Sequence, residues 1–229
     1  MDQNEIVDFV RRIVDQEMFG RRMDSYDVDR IDFLAAAVTS ARYAQRRMAR
    51  VPRLSDNWAL LELGLREAPR DGLVLEFGVA SGRTTNFLAE RTEATVYGFD
   101  AFDGLPEDWR PGFGKGAFAM EALPEVRSNV ELVVGRFDRT LPVFCDAHPG
   151  PVAFVHIDCD LYSSTQTVLG CLRSRIRSGT VIVFDEYFNY PGWELHEFKA
   201  FREFIASTAF AYRYIGIVPS HQQVAIRIL

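Results

Sequence analysis

Lysine is nearly missing from this chain: of 26 basic residues only Lys115 and Lys199 are lysines, and the rest are arginines. A basic surplus is missing too, because 32 acidic residues leave a net charge of -6. That balance provides no positive footprint for a phosphate backbone, so no nucleic-acid partner is expected. Cysteine is scarce. Cys145, Cys159 and Cys171 are odd in number and lack a CxxC or CxxH spacing, which argues against a disulfide framework or a zinc site and for a reducing interior. No apolar run approaches the roughly 20 residues of a membrane span. The chain opens with Asp2 and Glu5, not with a basic and then apolar leader, so a cytoplasmic protein with no membrane partner is expected.

What is present is enough apolar material for one substantial core: 48% of 229 residues are hydrophobic and 13% aromatic. From Asn4 to about Met48, apolar residues recur three and four apart (Ile6, Phe9, Val10, Ile13, Val14, then Ile31, Leu34, Ala35, Val38). This predicts two amphipathic helices outside the main sheet. Asp56 is placed to cap a further helix over Trp58 to Arg66, which Pro69 to Gly72 ends. The domain division expected is an N-terminal helical segment, 1–70, and a ligand-binding domain, 71–229.

Beyond Gly72, β-rich runs alternate with helical stretches: Leu73 to Phe77, Thr95 to Phe99, Val130 to Val134, Val152 to Ile157, Thr180 to Phe184, Tyr212 to Ile217 and Gln223 to Ile228. The fold class expected is therefore α/β, a Rossmann-like doubly wound, mostly parallel seven-stranded sheet. The turn at Pro219 and Ser220 is too short for a crossover, so the last two strands should form an antiparallel hairpin.

Such sheets bind ligands at the carboxyl ends of their strands. The first run ends in Glu76-Phe77-Gly78-Val79-Ala80-Ser81-Gly82-Arg83-Thr84, a loop of small residues opening a helix near Thr84. A dinucleotide fingerprint from Gly78 would require glycine at positions 80 and 83, where Ala80 and Arg83 stand. A ligand without a pyrophosphate fits better, and beside an acidic Glu76 the cationic S-adenosylmethionine (SAM) is the choice. The second strand delivers Asp100, followed by Ala101 and Phe102, about twenty residues on, where a carboxylate can accept from ribose hydroxyls. In the third unit Gly135 and Phe137 are placed to meet an adenine ring.

The fourth and fifth strands run into His156-Ile157-Asp158-Cys159-Asp160 and Asp185-Glu186. Up to four carboxylates on one rim demand a cation. Hard oxygen ligands from Asp158, Asp185 and Glu186 suit Mg²⁺, which can lower the pKa of an acceptor hydroxyl; ion pairing with arginine and helix capping is the alternative. His156 is expected to point away as a satisfied structural histidine. Tyr190, Trp193 and His196 could line an acceptor pocket, with His196 as a general base, and Pro111 to Gly116 reads as a mobile flap.

Four segments in order (Glu76-Phe77-Gly78-Val79, Asp100 to Pro106, Gly135 to Pro142, and Ile157 to Thr165 leading to Asp185-Glu186-Tyr187) resemble the macrocin O-methyltransferase (TylF/MycF-like) family of class I SAM-dependent methyltransferases. The resemblance implies O-methylation of a sugar hydroxyl on a small molecule. It also implies Mg²⁺ at Asp158, Asp185 and Glu186, and a homo-oligomer whose N-terminal helices contribute to a lid. The chain departs from the pattern at Glu186, where aspartate is common, and at Cys159, where glycine is usual. Two rival readings are an oxygenase on a methyltransferase-like sheet and a catalytically silent SAM-binding protein.

Overall fold

The computed structural model describes residues 27–229, so the expected helix around Ile6 to Val14 lies outside the described residues. Helix α1, Val28–Arg47, is capped by Asp27, whose side chain accepts from the backbone of Asp29 and Arg30. Helix α2, Asn57–Glu67, starts at the expected Asp56 cap. The remaining elements alternate: β1 Leu73–Phe77, α3 Arg83–Glu90, β2 Val96–Asp100, β3 Val130–Val134, α4 Phe137–Ala147, β4 Val152–Ile157, α5 Tyr162–Leu172, β5 Val181–Phe184, a 3-10 turn Trp193–Leu195, α6 Glu197–Ala206, β6 Tyr212–Ile217 and β7 Val224–Ile228.

The strands form one seven-stranded sheet in the order β3-β2-β1-β4-β5-β7-β6. The first five are mutually parallel, and β7 runs antiparallel to both β5 and β6, as the short final turn requires. Each face buries its own apolar layer, and the two-residue period of a strand decides which residue joins which. Leu75, Phe77, Ile182, Phe184 and Ile226 belong to one layer; Val74, Phe154, Val181, Val183 and Ala225 belong to the other. The strand order reverses at β1 and β4, where the connections leave in opposite directions and open a crevice.

Helix α2, within the expected 1–70 segment, packs directly on β5, β6 and β7. Helix α1 differs from expectation. It docks through Ala36, Ser40 and Ala44, whereas Ile31 and Val38 are exposed. Small residues at four-residue spacing let the backbone come close, and that contact outweighs the larger apolar stripe on the neighbouring face. Among the described residues no helix is long and apolar enough to cross a membrane.

Gly64, in the middle of α2, reports how tightly this layer is packed. A Cβ there would lie 2.9 Å from both Phe154 Cε2 and Val183 Cγ2, two side chains locked in the sheet. Gly64→Ala is expected to lose about 1–2 kcal/mol, since overpacking of about 1–3 kcal/mol exceeds the ~1 kcal/mol gain in helix propensity. Urea unfolding checks this: an unchanged or raised midpoint would show that α2 has room to shift.

Candidate active site

The site begins with a collision avoided. Gly78 has φ +96°, and a Cβ on it would fall inside the carbonyl oxygen of Asp158, the first residue past β4. Glycine is therefore required where the β1 and β4 loops touch. Backbone bonds tie the neighbouring strand ends to the same place: Gly78 N donates to Phe99 O, Asp158 N to Phe77 O and Gly135 N to Asp100 O, each at 2.9 Å.

Asp100 organises the loop. Its Oδ2 accepts from Val79 N at 2.9 Å and from Ala80 N at 2.8 Å, while Oδ1 accepts from Phe102 N at 2.8 Å. Ala80 is held at φ +43°, a left-handed conformation that a non-glycine residue adopts only under such restraint. Three of the carboxylate's roughly four acceptor positions are thus occupied by backbone, so Asp100 shapes the loop as well as facing the crevice.

A cavity of about 580 Å³ opens over these strand ends. Of the expected site residues, Gly78, Ala80, Ser81, Thr84, Asp100, Ala101, Gly135, Phe137, Asp158 and Glu186 line it. Glu76, Gly82, Phe102, Asp185 and His196 are not part of the lining. Glu76 is fully buried behind the loop, where it accepts from the Thr85 hydroxyl and contacts His156 Nδ1 at 2.9 Å. The expected pocket wall of Tyr190, Trp193 and His196 also moves. Trp193 packs on α1, its Nε1 donating to Thr39 Oγ1 at 3.1 Å, and Trp109, Arg110 and Phe113 line the cavity instead. The Arg110 guanidinium lies 3.8 Å from the centre of the Trp109 ring and 4.8 Å from that of Tyr190. The signal for this wall was the aromatic and arginine-bearing Trp109-Arg110-Pro111-Gly112-Phe113 run. The expected flap there is fastened by Trp109 N to Phe113 O at 3.0 Å and Gly116 N to Leu105 O at 2.9 Å.

Three buried or half-buried acids, Asp158, Asp160 and Glu186, line the same cavity, and Asp185 and Glu197 are buried or half-buried beside them without lining it. Burial pushes Asp158 and Glu186 well above the usual carboxylate range, and the Asp185 charge adds to both. Burial likewise raises Asp160, to about 7, against the opposing pull of Arg110. Asp185 behaves oppositely: burial would raise it, but His156 beside it holds it below its ordinary value. Burial would lower His156; Asp185 and Glu76 reverse this and hold it well above the ordinary imidazole value. His156 is therefore not the satisfied histidine expected, because its Nε2 has no hydrogen-bond partner among the described residues. His196 is lowered, first by burial and then by Arg110, which favours a neutral ring.

Ligand atoms of His156, Asp158 and Asp185 lie within 4.8 Å of one another, a spacing able to hold a metal ion. Glu186, the third oxygen ligand expected, is outside that group, although its buried Oε2 is also unpartnered among the described residues. Gln223 Nε2 steadies Asp185 with 3.2 Å contacts to both oxygens.

Two outcomes follow from this geometry. Asp100→Asn puts an amide where three backbone donors converge, so it should lose about 1–3 kcal/mol of stability and weaken SAM or S-adenosylhomocysteine (SAH) binding at least tenfold; wild-type affinity by calorimetry would deny Asp100 its hold on the loop. Glu197 has its pKa raised by burial first and then by Asp160, Asp158 and Asp185. A carboxyl raised on folding stabilises the protein at low pH and loses that contribution as pH climbs through the folded value. Without divalent ions, the Tm of Glu197→Gln should therefore exceed wild type by a margin that widens from about pH 5 to about pH 8; a constant or shrinking margin would contradict the sign.

Comparison with known proteins agrees with this architecture. A family model described as Methyltransferase domain matches residues 75–187. Over 142 residues the chain is 29% identical to an 8-demethyl-8-(2,3-dimethoxy-alpha-L-rhamnosyl)-tetracenomycin-C 4'-O-methyltransferase of Streptomyces olivaceus, covering 51% of this chain and 53% of that one. The chain thus spans about half the length of the curated relative it matches. Among solved structures, the calicheamicin methyltransferase CalS11 superposes with a TM-score of 0.59 at 21% identity, covering 99% of this chain and 94% of that one. The O-methyltransferase NovP gives 0.55 at 20% identity, covering 75% and 78%. At these identities the structural likeness speaks for the fold. The matched segment runs from within β1 through β5 and holds most of the loops around the cavity; over residues 75–187 the chain is similar to the methyltransferase-domain family, in keeping with its resemblance to the macrocin O-methyltransferases.

Proposed function

We propose that the protein is a SAM-dependent O-methyltransferase acting on a hydroxyl of a small molecule, a sugar or glycosylated natural product, with a divalent ion assisting. The observation that carries this reading is one cavity lined both by the Asp100-clamped glycine loop and by Asp158, Asp160 and Glu186. The tetracenomycin relative, whose name specifies the 4'-hydroxyl of a rhamnosyl compound, supports the acceptor class.

The fit to the cofactor rests on Gly78, whose missing side chain keeps the cradle open, and on a helix α3 that starts with no side-chain cap. Glu76 supports the loop from behind. Gly78 to Ser81, Arg83 and Thr84, with Asp100 and Ala101, form the ribose and amino-acid side of the site, Gly82 and Phe102 support them from outside the cavity, and Gly135 and Phe137 flank the adenine. When bound, SAM supplies an electrophilic methyl group on a sulfonium. The chain's residues then align the acceptor oxygen with that carbon and remove its proton. As oxygen takes the methyl group, the hydroxyl proton passes to a carboxylate. Asp160, near neutrality in its pKa, is better placed than His196, which stands behind Trp109. Asp158, Asp185 and Glu186 would hold the divalent ion, Mg²⁺ in the simplest case, which lowers the pKa of a bound hydroxyl. The buried, unpartnered Glu186 Oε2 favours a cation there.

We also infer a homo-oligomer joined through the 1–70 segment, which contributes to a lid; the exposed Ile31, Phe33 and Val38 of α1 support this. The test of the activity is a panel of glycosylated acceptors with labelled SAM, with and without chelator. Transfer to a sugar hydroxyl is expected, and Asp158→Ala should lose at least about 10³-fold in kcat while SAH affinity changes less than about tenfold. Tight SAM binding with no transfer to any acceptor would favour the silent protein, and iron-dependent oxidation would favour the oxygenase.

A further inference from the structure

We propose that His156 is itself a metal ligand, forming with Asp158 and Asp185 a mixed nitrogen and oxygen site that prefers a first-row transition ion such as Mn²⁺ over Mg²⁺. The inference rests on the metal-assisted part of the proposed function and is independent of whether methyl transfer occurs.

Three observations carry it. First, His156 is 1% exposed, and its Nε2 has no hydrogen-bond partner among the described residues. A buried ring nitrogen left unpaired beside the carboxylates of Asp158 and Asp185 calls for an occupant. Second, the other nitrogen is already committed: Nδ1 lies 2.9 Å from Glu76 Oε1, and Glu76 is anchored in turn by the Thr85 hydroxyl. A carboxylate holding one ring nitrogen fixes the ring and its tautomer and presents the opposite nitrogen as a basic ligand, the usual outer arrangement of a metal-bound histidine. Third, Nε2 faces Asp185 Oδ1 at 3.8 Å, too far for a hydrogen bond, and both group with an Asp158 oxygen inside 4.8 Å. Two ligands with bonds of about 2.1 Å to a shared ion stand about 3 Å apart in cis and about 4.2 Å in trans, so small rotations close the site.

The donor set decides the ion. Carboxylates alone favour Mg²⁺, which holds to oxygen and keeps its waters. An imidazole among them shifts preference toward Mn²⁺, Fe²⁺ or Zn²⁺. Glu76 is then a positioning residue acting through His156, which explains a buried acid at a loop whose cavity it does not line. The competing occupant of Nε2 is a proton, with a charged His156 paired to Asp185.

The experiment is Mn²⁺ binding to the full chain without SAM, followed by electron paramagnetic resonance with detection of ¹⁴N coupling. Wild type should bind Mn²⁺ with a directly coordinated nitrogen and more tightly than Mg²⁺. His156→Gln should erase the nitrogen signal and weaken Mn²⁺ by at least about 10- to 100-fold, with a smaller change for Mg²⁺, and Glu76→Gln should weaken Mn²⁺ within that same range. Circular dichroism and Tm serve as the fold control for both variants, and the wild-type nitrogen signal decides the matter even if a variant fails to fold. Mn²⁺ bound without nitrogen coupling, or held equally by His156→Gln, overturns the inference and leaves the metal-assisted reading standing. No divalent binding at all overturns both. Metal binding of the expected kind without methyl transfer strikes the proposed activity alone.

Discussion

The contact between Gly78 and the Asp158 carbonyl governs the arrangement of everything above the sheet. It occurs where β1 and β4 lie side by side and their following segments part, toward α3 on one side and α5 on the other. Close approach at that point keeps the two loops at the same height over the strand ends. The loop that can cradle a nucleoside and the carboxylate that can face an acceptor therefore share one cavity wall. A side chain at position 78 would force these loops apart, and the bonds that hold Asp158 N to Phe77 O and Gly78 N to Phe99 O would have to yield with them. Asp100 completes the arrangement by drawing the Val79 and Ala80 amides toward β2.

Gathering carboxylates at this junction creates an electrostatic debt that the chain meets in two ways. Below the rim, His156 sits between Glu76 and Asp185, and its proximity is what keeps Asp185 charged while burial raises its neighbours. Above the rim, Arg110 is held by aromatic faces and, among the described residues, by no carboxylate, so its charge acts on Asp160 across the cavity. A guanidinium tied up in a bidentate ion pair would have neutralised one acid and left the others unanswered. Spread in this way, the positive charge lets at least one acid titrate near neutrality, the range useful for accepting a proton from a hydroxyl.

Much of this was readable from residue order. Short β-rich apolar runs marked all seven strands within a residue or so of their ends; the signal is least broken in β1, β4 and β5, which are buried on both faces, and most broken in the edge strand β3, where Glu131 and Val134 are exposed. The short Pro219-Ser220 turn dictated the antiparallel end of the sheet. Strand termini also pointed to Gly78, Asp100 and Asp158, since in this architecture a strand's carboxyl end is a spatial address. What failed were assignments that depend on which way a side chain turns after the strand stops. Glu76 and His156 pair across β1 and β4 in register, so each occupies the other, and that pairing is invisible until the strand order is known. Trp193 and Tyr190 were mistaken for pocket walls because an aromatic side chain near a site looks the same in sequence whether it faces ligand or core. In α1 the stripe of larger apolar residues was misleading, since docking there depends on the small residues one step around the helix.

Those misplaced aromatics show how the periphery reaches the site. Trp193 Nε1 bonds Thr39 on α1, Asn189 N bonds Ser40 Oγ at 2.8 Å, and the Tyr43 hydroxyl contacts that of Tyr214 at 2.6 Å, which in turn contacts that of Tyr187 at 2.7 Å. The first three link α1 to the segment between β5 and α6 or to the sheet beside it, and the last ties that segment to β6. That segment carries Tyr190, and Tyr190 forms one of the faces on which Arg110 rests. Helix α1 thus fixes the position of a cation in the cavity without lining the cavity itself. Interfaces of small residues tolerate little displacement, because the next position of the helix would drive a backbone into a side chain. The part of the cavity that Arg110 lines therefore depends on a helix outside the sheet, while the glycine loop is set by contacts among the ends of β1, β2 and β4.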